Sequence, residues 1–205
     1  MTYPKVILLG GAPNTGKTTV SRLIASRLNY ACLSTDDLLK AITSVTTPKS
    51  HPNFHFMAGW ETQEYYVHHP ADTLILHTIE RFKIFRKAIE AVVKSHVSRE
   101  EPIVIEGFGL WPEELKNLNL PDVGMVWLVA DETLLDKRTR NIKPLYEGAS
   151  DEERMIQNYV GRSVWYNSKV IEAVGRLDIP SVKVSDELSV EALSVALLKI
   201  LKLSD

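Results

Sequence analysis

The octapeptide Gly11-Ala12-Pro13-Asn14-Thr15-Gly16-Lys17-Thr18 constrains this chain more than any other segment. It follows the apolar run Val6-Ile7-Leu8-Leu9, which ends in Gly10-Gly11 and reads as a buried strand. It precedes a segment with Val20, Leu23, Ile24 and Leu28 at helical spacing. A glycine, four residues, then Gly-Lys-Thr between a strand and a helix is the pattern of a phosphate-cradling loop. The glycines let several backbone N–H groups turn inward as an anion nest. The following helix aims its positive dipole end at the same point. Lys17 supplies a cation for terminal phosphates, and Thr18 a hydroxyl for Mg²⁺. Gly11, Asn14, Thr15, Gly16, Lys17, Thr18 and Thr19 are therefore the expected binding set for a nucleoside triphosphate.

The rest of the chain alternates short apolar runs with helical stretches. Ala31 to Leu33, Pro102 to Gly107, Val123 to Val129 and Ser181 to Val184 read as strands. Helices are expected at Lys17 to Leu28, from a cap at Thr35 or Asp36 to Ile42, and from Ala71 to Val97 as one helix or two. Further helices are expected from Asp131 to Asn141, Glu152 to Leu177 and Ser189 to Leu203, with Trp111-Pro112 starting a short one. This alternation predicts an α/β domain with a mainly parallel sheet. Residues 43–70, with Pro48, Pro52, Pro70, four histidines and five aromatic rings, read as a folded insertion or substrate-facing flap.

A length of 205 residues argues for one domain with its own core. The net charge of -2 disfavours a protein whose main task is gripping a nucleic-acid backbone. The single cysteine, Cys32, precludes an intramolecular disulfide and is expected as a buried small residue in a reducing cytoplasm. The N-terminal apolar run is too short for a signal peptide, and no segment is long enough to span a bilayer. A soluble cytoplasmic monomer or homodimer is the expectation. His51, His55, His68 and His69 lack the partners of a zinc set and are read as loop or substrate-contact histidines.

The guanine-reading Asn-Lys-x-Asp and the Asp-x-x-Gly switch of GTPases do not occur. Ser34-Thr35-Asp36-Asp37 follows the second strand, Ile105-Glu106-Gly107 ends the third, and Asp136-Lys137-Arg138-Thr139-Arg140 carries a basic cluster. Strand ends beside the phosphate loop are where open α/β sheets bind ligands. A carboxylate there accepts a hydroxyl proton or holds a metal-bound water. With the P-loop and in this order, these segments resemble the P-loop small-molecule kinases, the superfamily of nucleotide, shikimate and gluconate kinases, and look closest to 2-phosphoglycerate kinase-like proteins. The resemblance implies a P-loop NTPase three-layer sandwich with a five-stranded parallel sheet in order 2-3-1-4-5. It implies phosphoryl transfer from ATP, with Mg²⁺, to a small-molecule acceptor.

On that basis Lys17, Asp36, Arg138 and Arg140 are the expected catalytic residues, with Asp37 and Glu106 for substrate and Thr18 for Mg²⁺. Whether Asp36 or Asp37 is the base stays open. A lid is expected over 138–154, where Arg138 and Arg140 diverge on a helix unless it ends there. Arg154 and Arg162, eight apart, share a helical face and are candidates to join it. Ser185-Asp186 is read as an adenine contact or a helix cap. A nucleotide-binding regulatory protein that transfers nothing is the competing class. Residues 43–70 are not covered by the resemblance, so it carries no acceptor over to this chain.

Overall fold

The computed structural model describes residues 3–118 and 120–202. Its centre is β1 (Val6–Gly11), whose six residues are all buried. The chain leaves β1 through the glycine-rich loop into α1 (Lys17–Leu28), then enters β2 (Ala31–Ser34) and α2 (Thr35–Val45). A single 3-10 turn at Pro52–Phe54 and α3 (Thr62–His68) lead to α4 (Ala71–Arg99), one continuous helix. Then come β3 (Ile103–Gly107), α5 (Pro112–Lys116), β4 (Val123–Val129), α6 (Glu132–Arg140) and α7 (Lys143–Tyr146). The chain continues with α8 (Glu152–Leu177), β5 (Ser181–Lys183) and α9 (Val190–Leu201). The expected end of the last helix, Leu203, lies outside the described residues.

The strands form one parallel sheet in the order β2-β3-β1-β4-β5, as the resemblance implied. Val6 sits between Ile103 and Val123, and Gly10 between Gly107 and Trp127. β1 therefore has β3 on one side and β4 on the other, with the chain reversing its direction of travel across the sheet between them. Its carboxyl end is the switch point where such sheets hold ligands, and Gly11 lies there. Strands buried on both faces read as continuous apolar runs, which is why β1 and β3 were visible in the sequence.

Helices cover both sides of the sheet. α1 packs on α9, tied by a hydrogen bond from Arg27 to Ser194, while α4, α5 and α8 pack together. Asn167 on α8 clamps the end of β4 by accepting from Ala130 N at 3.1 Å and donating to Ala130 O at 2.7 Å. A second apolar cluster of Tyr65, Tyr66, Val67, Leu74, Met155, Ile156 and Val160 pins α3 against α4 and α8. It gives the 43–70 stretch an anchored core of its own. Among the described residues no helix is long and apolar enough to cross a membrane.

Two local expectations need correction. Cys32 is exposed, because β2 is an edge strand and its residues are less covered than those of β1 or β3. The cap of α2 is neither Thr35 nor Asp36: Ser34 accepts from Asp36 N at 3.2 Å, so Asp36 stands in the first turn with its side chain released from capping.

Candidate active site

The loop after β1 takes its shape from backbone conformations that its residues permit. Gly11 and Gly16 have φ of 143° and 91°, and Asn14 sits at 64°, a left-handed region asparagine tolerates. A Cβ on Gly11 would lie 2.4 Å from the Leu128 carbonyl oxygen, so only glycine lets the loop cross β4 this closely. Thr15 Oγ1 donates to Ala12 O at 2.8 Å and closes the turn. Gly16 precedes α1 at its N-terminal cap position, so the helix has no side-chain cap, and no acid lies in its first turn. Its terminal N–H groups and dipole are thus left for an anion.

Lys17 is 7% exposed and donates to Ala12 O at 2.7 Å. Burial pulls its ammonium pKa down to about 8, against the charges of Glu106 and Asp36, which favour the protonated form. Thr18 Oγ1 donates to Glu106 Oε1 at 3.1 Å. Glu106 is 3% exposed at the end of β3, beside Gly107. Gly107, at φ 145°, packs on Thr35; a Cβ would fall 1.9 Å from Thr35 Oγ1. That close approach draws the start of α2, and with it Asp36, toward the loop.

A polar cavity of about 320 Å³ lies against this loop, and Asn14, Lys17, Thr18, Asp36 and Glu106 line it. Its far walls come from α4, α8 and the segment after β3: Arg81, Phe82, Phe108, Tyr159 and Arg162. Asp36 and Arg81 also border a more apolar cavity of about 410 Å³ beneath Phe54, His55 and Met57. A third cavity, about 210 Å³, sits on the other side of the loop against Thr15, Gly16, Thr19, Arg138 and Ser185.

Arg138 and Arg140 part company. Arg138 Nη1 donates to Asn14 O at 3.2 Å and Nη2 to Ser185 O at 3.1 Å, while Nε pairs with Asp186 at 3.3 Å. Arg140 turns to Asp136 at 2.9 Å and Glu153 at 2.7 Å, and borders none of the three cavities. The helix does end at Arg140, but the two side chains still leave in different directions. Asp37 is exposed on α2 and lines none of these cavities either. Arg162 is buried in the cavity wall, whereas Arg154 is exposed near the start of α8. Asp186 pairs with Lys137 at 2.5 Å, and the cap of α9 is Ser189, accepting from Ala192 N at 3.1 Å.

Arg81, Tyr66, Phe108 and Tyr159 were not singled out as site residues by the sequence. Arg81 falls in the charged run Glu80-Arg81 of a long amphipathic helix, where an arginine reads as a solvated residue.

The oxygen set at the loop, the Thr18 hydroxyl with the buried Glu106 carboxylate beside it and Asp36 nearby, suits a hard cation such as Mg²⁺ held with phosphate oxygens.

No protein-family model matches the chain. An adenylate kinase of Chlamydia trachomatis serovar L2 is 28% identical over 161 residues, 74% of this chain. A 2-phosphoglycerate kinase of Pyrococcus horikoshii is 27% identical over 187 residues, 85% of this chain. The chain is a homologue of the P-loop small-molecule kinases. This kinase homologue spans 63% of the first relative's length and 61% of the second's. A shikimate kinase from Bacteroides thetaiotaomicron shares its fold, with a TM-score of 0.57 over 97% of this chain and 98% of the other at 17% identity.

Proposed function

We propose that this chain is an ATP-dependent kinase that moves the terminal phosphoryl group of Mg-ATP to a hydroxyl or phosphate of a small molecule. The observation that carries the reading is the shared cavity: the loop residues Lys17 and Thr18 and the carboxylates Asp36 and Glu106 line one polar cleft of about 320 Å³. A protein that only bound nucleotide would not need an acceptor-sized chamber on the phosphate side of its loop.

In this reading the triphosphate lies in the backbone nest of residues 11–18, with Lys17 against its terminal oxygens. Arg138 holds the nucleotide side of the loop through Asn14, next to the cavity that suits the base. Thr18, oriented by Glu106, is the residue that holds Mg²⁺. When bound, that ion neutralises charge on the phosphate oxygens. Asp36 accepts the acceptor's hydroxyl proton as the new P–O bond forms; the bond to the bridging oxygen of ATP breaks and ADP leaves. Between the two aspartates Asp36 takes the role of base, since it lines the chamber and Asp37 does not. Arg140 acts through its clasp on Asp136 and Glu153, which ties α6 to α8 across the 141–151 segment.

Acceptor-dependent ADP formation tests the reading. Mg-ATP is supplied with a panel of nucleotides, sugars, sugar acids and phosphorylated hydroxy acids. At least one acceptor should produce ADP stoichiometrically with a phosphorylated product, and Lys17→Ala should abolish it. Nucleotide binding with no acceptor-stimulated ADP across the panel would favour a regulatory nucleotide-binding protein instead.

A further inference from the structure

Three consecutive residues of α6 hold different things. Arg138 Nη1 donates to Asn14 O at 3.2 Å, and Arg140 reaches Glu153 at 2.7 Å. Between them Thr139, 1% exposed, meets the side chain of Asn14: Asn14 Nδ2 donates to Thr139 Oγ1 at 2.9 Å. Asn14 and Thr139 lie 125 positions apart in the chain. One residue of the phosphate loop is thus held from α6 at both its backbone and its side chain.

The bond to Thr139 has a fixed direction. The threonine hydroxyl gives its proton to Leu135 O, one helical turn back, at 2.8 Å. Thr139 therefore meets Asn14 as an acceptor, and the asparagine presents its NH₂ rather than its carbonyl oxygen. Asn14 is also the loop residue that most needs an outside hold. Its φ of 64° is left-handed, whereas the other positive-φ positions of the loop, Gly11 and Gly16, carry no Cβ. Asparagine visits that region as a single residue, but it prefers extended and right-handed backbone. Left-handed residues in such loops help turn successive N–H groups toward one anion. Without a tether Asn14 would leave that conformation for part of the time, and each ligand would have to restore it at a cost in affinity. Asn14 borders the polar cleft and Arg138 the cavity on the nucleotide side, so a shift of this residue reaches both.

We propose that Thr139 is a positioning residue: through the Asn14 amide it holds the phosphate loop in its ligand-ready shape before the triphosphate arrives. The proposal rests on the loop binding a triphosphate, the part of the proposed function that needs no acceptor. It also gives the Asn14 side chain a partner in the protein rather than in the nucleotide.

The test measures the affinity of the whole chain for Mg²⁺ and a non-hydrolysable ATP analogue by calorimetry, with urea unfolding of the unliganded protein beside it. Thr139→Val keeps the shape and removes the acceptor, and should weaken binding by roughly three- to tenfold. Thr139→Ser restores the hydroxyl and should bind within about twofold of wild type. In an Asn14→Gly background, where no amide remains to be held, Thr139→Val should change the affinity by less than about twofold. If Thr139→Val does not unfold cooperatively, Thr139→Ala takes its place in the same comparison. The proposal is overturned if the wild type does not bind the analogue, or if Thr139→Val loses stability but binds as tightly as wild type. An equal loss of affinity with Asn14 and with Gly at position 14 also overturns it. The expected affinities without acceptor-dependent ADP formation would sink the kinase reading and leave the tether. ADP formation with an unchanged KM for ATP in Thr139→Val would do the reverse.

Discussion

Thr18 Oγ1 donates to Glu106 Oε1 at 3.1 Å, joining the first turn of the helix after the phosphate loop to the end of the neighbouring strand. The bond fixes which way the threonine lone pairs point, and so orients the oxygen that would face Mg²⁺. Groups that orient a metal ligand typically matter by one to two orders of magnitude in metal affinity. Glu106→Gln should therefore raise the Mg²⁺ concentration for half-maximal turnover by roughly tenfold, while metal-free nucleotide binding changes little. An unchanged Mg²⁺ titration would detach Glu106 from the metal.

Lys17 makes the unliganded protein sensitive to pH in a predictable direction. Its folded pKa is about 8, against 10.5 in its ordinary state, with burial as the cause. Between those values the unfolded chain binds more protons, so the Lys17 contribution to stability rises with pH across that window. Below pH 8 both forms are charged and the burial penalty is fully present. Lys17→Met should thus stabilise the unliganded protein at pH 7 by roughly 1–3 kcal/mol, a gain that shrinks toward pH 10.5. Urea unfolding of both proteins at the two pH values measures it.

The same titration appears in ligand binding. A triphosphate beside Lys17 favours its charged form. Nucleotide binding near pH 9 should take up a proton, and this uptake should vanish in Lys17→Met. Calorimetry in buffers of different ionisation enthalpy reads the proton count directly; uptake that persists in the variant would point to another group.

Arg138 and Arg140, two residues apart, are expected to behave differently. Arg138→Ala removes bonds to Asn14 O and Ser185 O and should weaken ATP binding by about tenfold. Arg140→Ala breaks exposed ion pairs, which contribute about 1 kcal/mol or less. Its affinity for ATP should stay within about twofold of wild type on the same grounds. Equal losses of affinity in both variants would mean that the Arg140 clasp holds the nucleotide side of the loop as well.

Asn167 tests what holds the strand end in place. Asn167→Ala leaves the Ala130 N–H and C=O buried and unpaired together, and should cost on the order of 3 kcal/mol in chemical unfolding. A loss under about 1 kcal/mol would mean that water replaces the amide without penalty.

The loop and the sheet were legible in the sequence because their signals are local: Gly11 to Thr18 carry the spacing, and β1 and β3 read as uninterrupted apolar runs. The chamber was legible on one side only. Asp36 and Glu106 follow strands whose ends must converge, so their strand positions sufficed. Arg81 and Arg162 lie 81 residues apart on different helices. Nothing in the spacing of either reports that α3 and the Phe108 segment close rings around them. Arg140 illustrates the opposite limit. Two residues from Arg138 on a helix, it can share a ligand with that arginine only if the helix ends there; the helix does end at Arg140, yet whether a side chain turns inward depends on which acid lies across the gap, and here Glu153 does.

Gly10 has consequences beyond packing. A Cβ there would lie 2.0 Å from Trp127 Nε1, so the indole rests directly on the backbone that leads into the phosphate loop. Trp127 is wholly shielded from solvent, whereas Trp60 is 41% exposed. The chain thus carries a native fluorophore seated under its own ligand loop, with blue-edge emission separable from that of an exposed indole. Occupancy of the loop should therefore shift the emission of the unlabelled protein, and loss of that shift in Trp127→Phe, with the other three tryptophans kept, assigns it to the indole beneath Gly10.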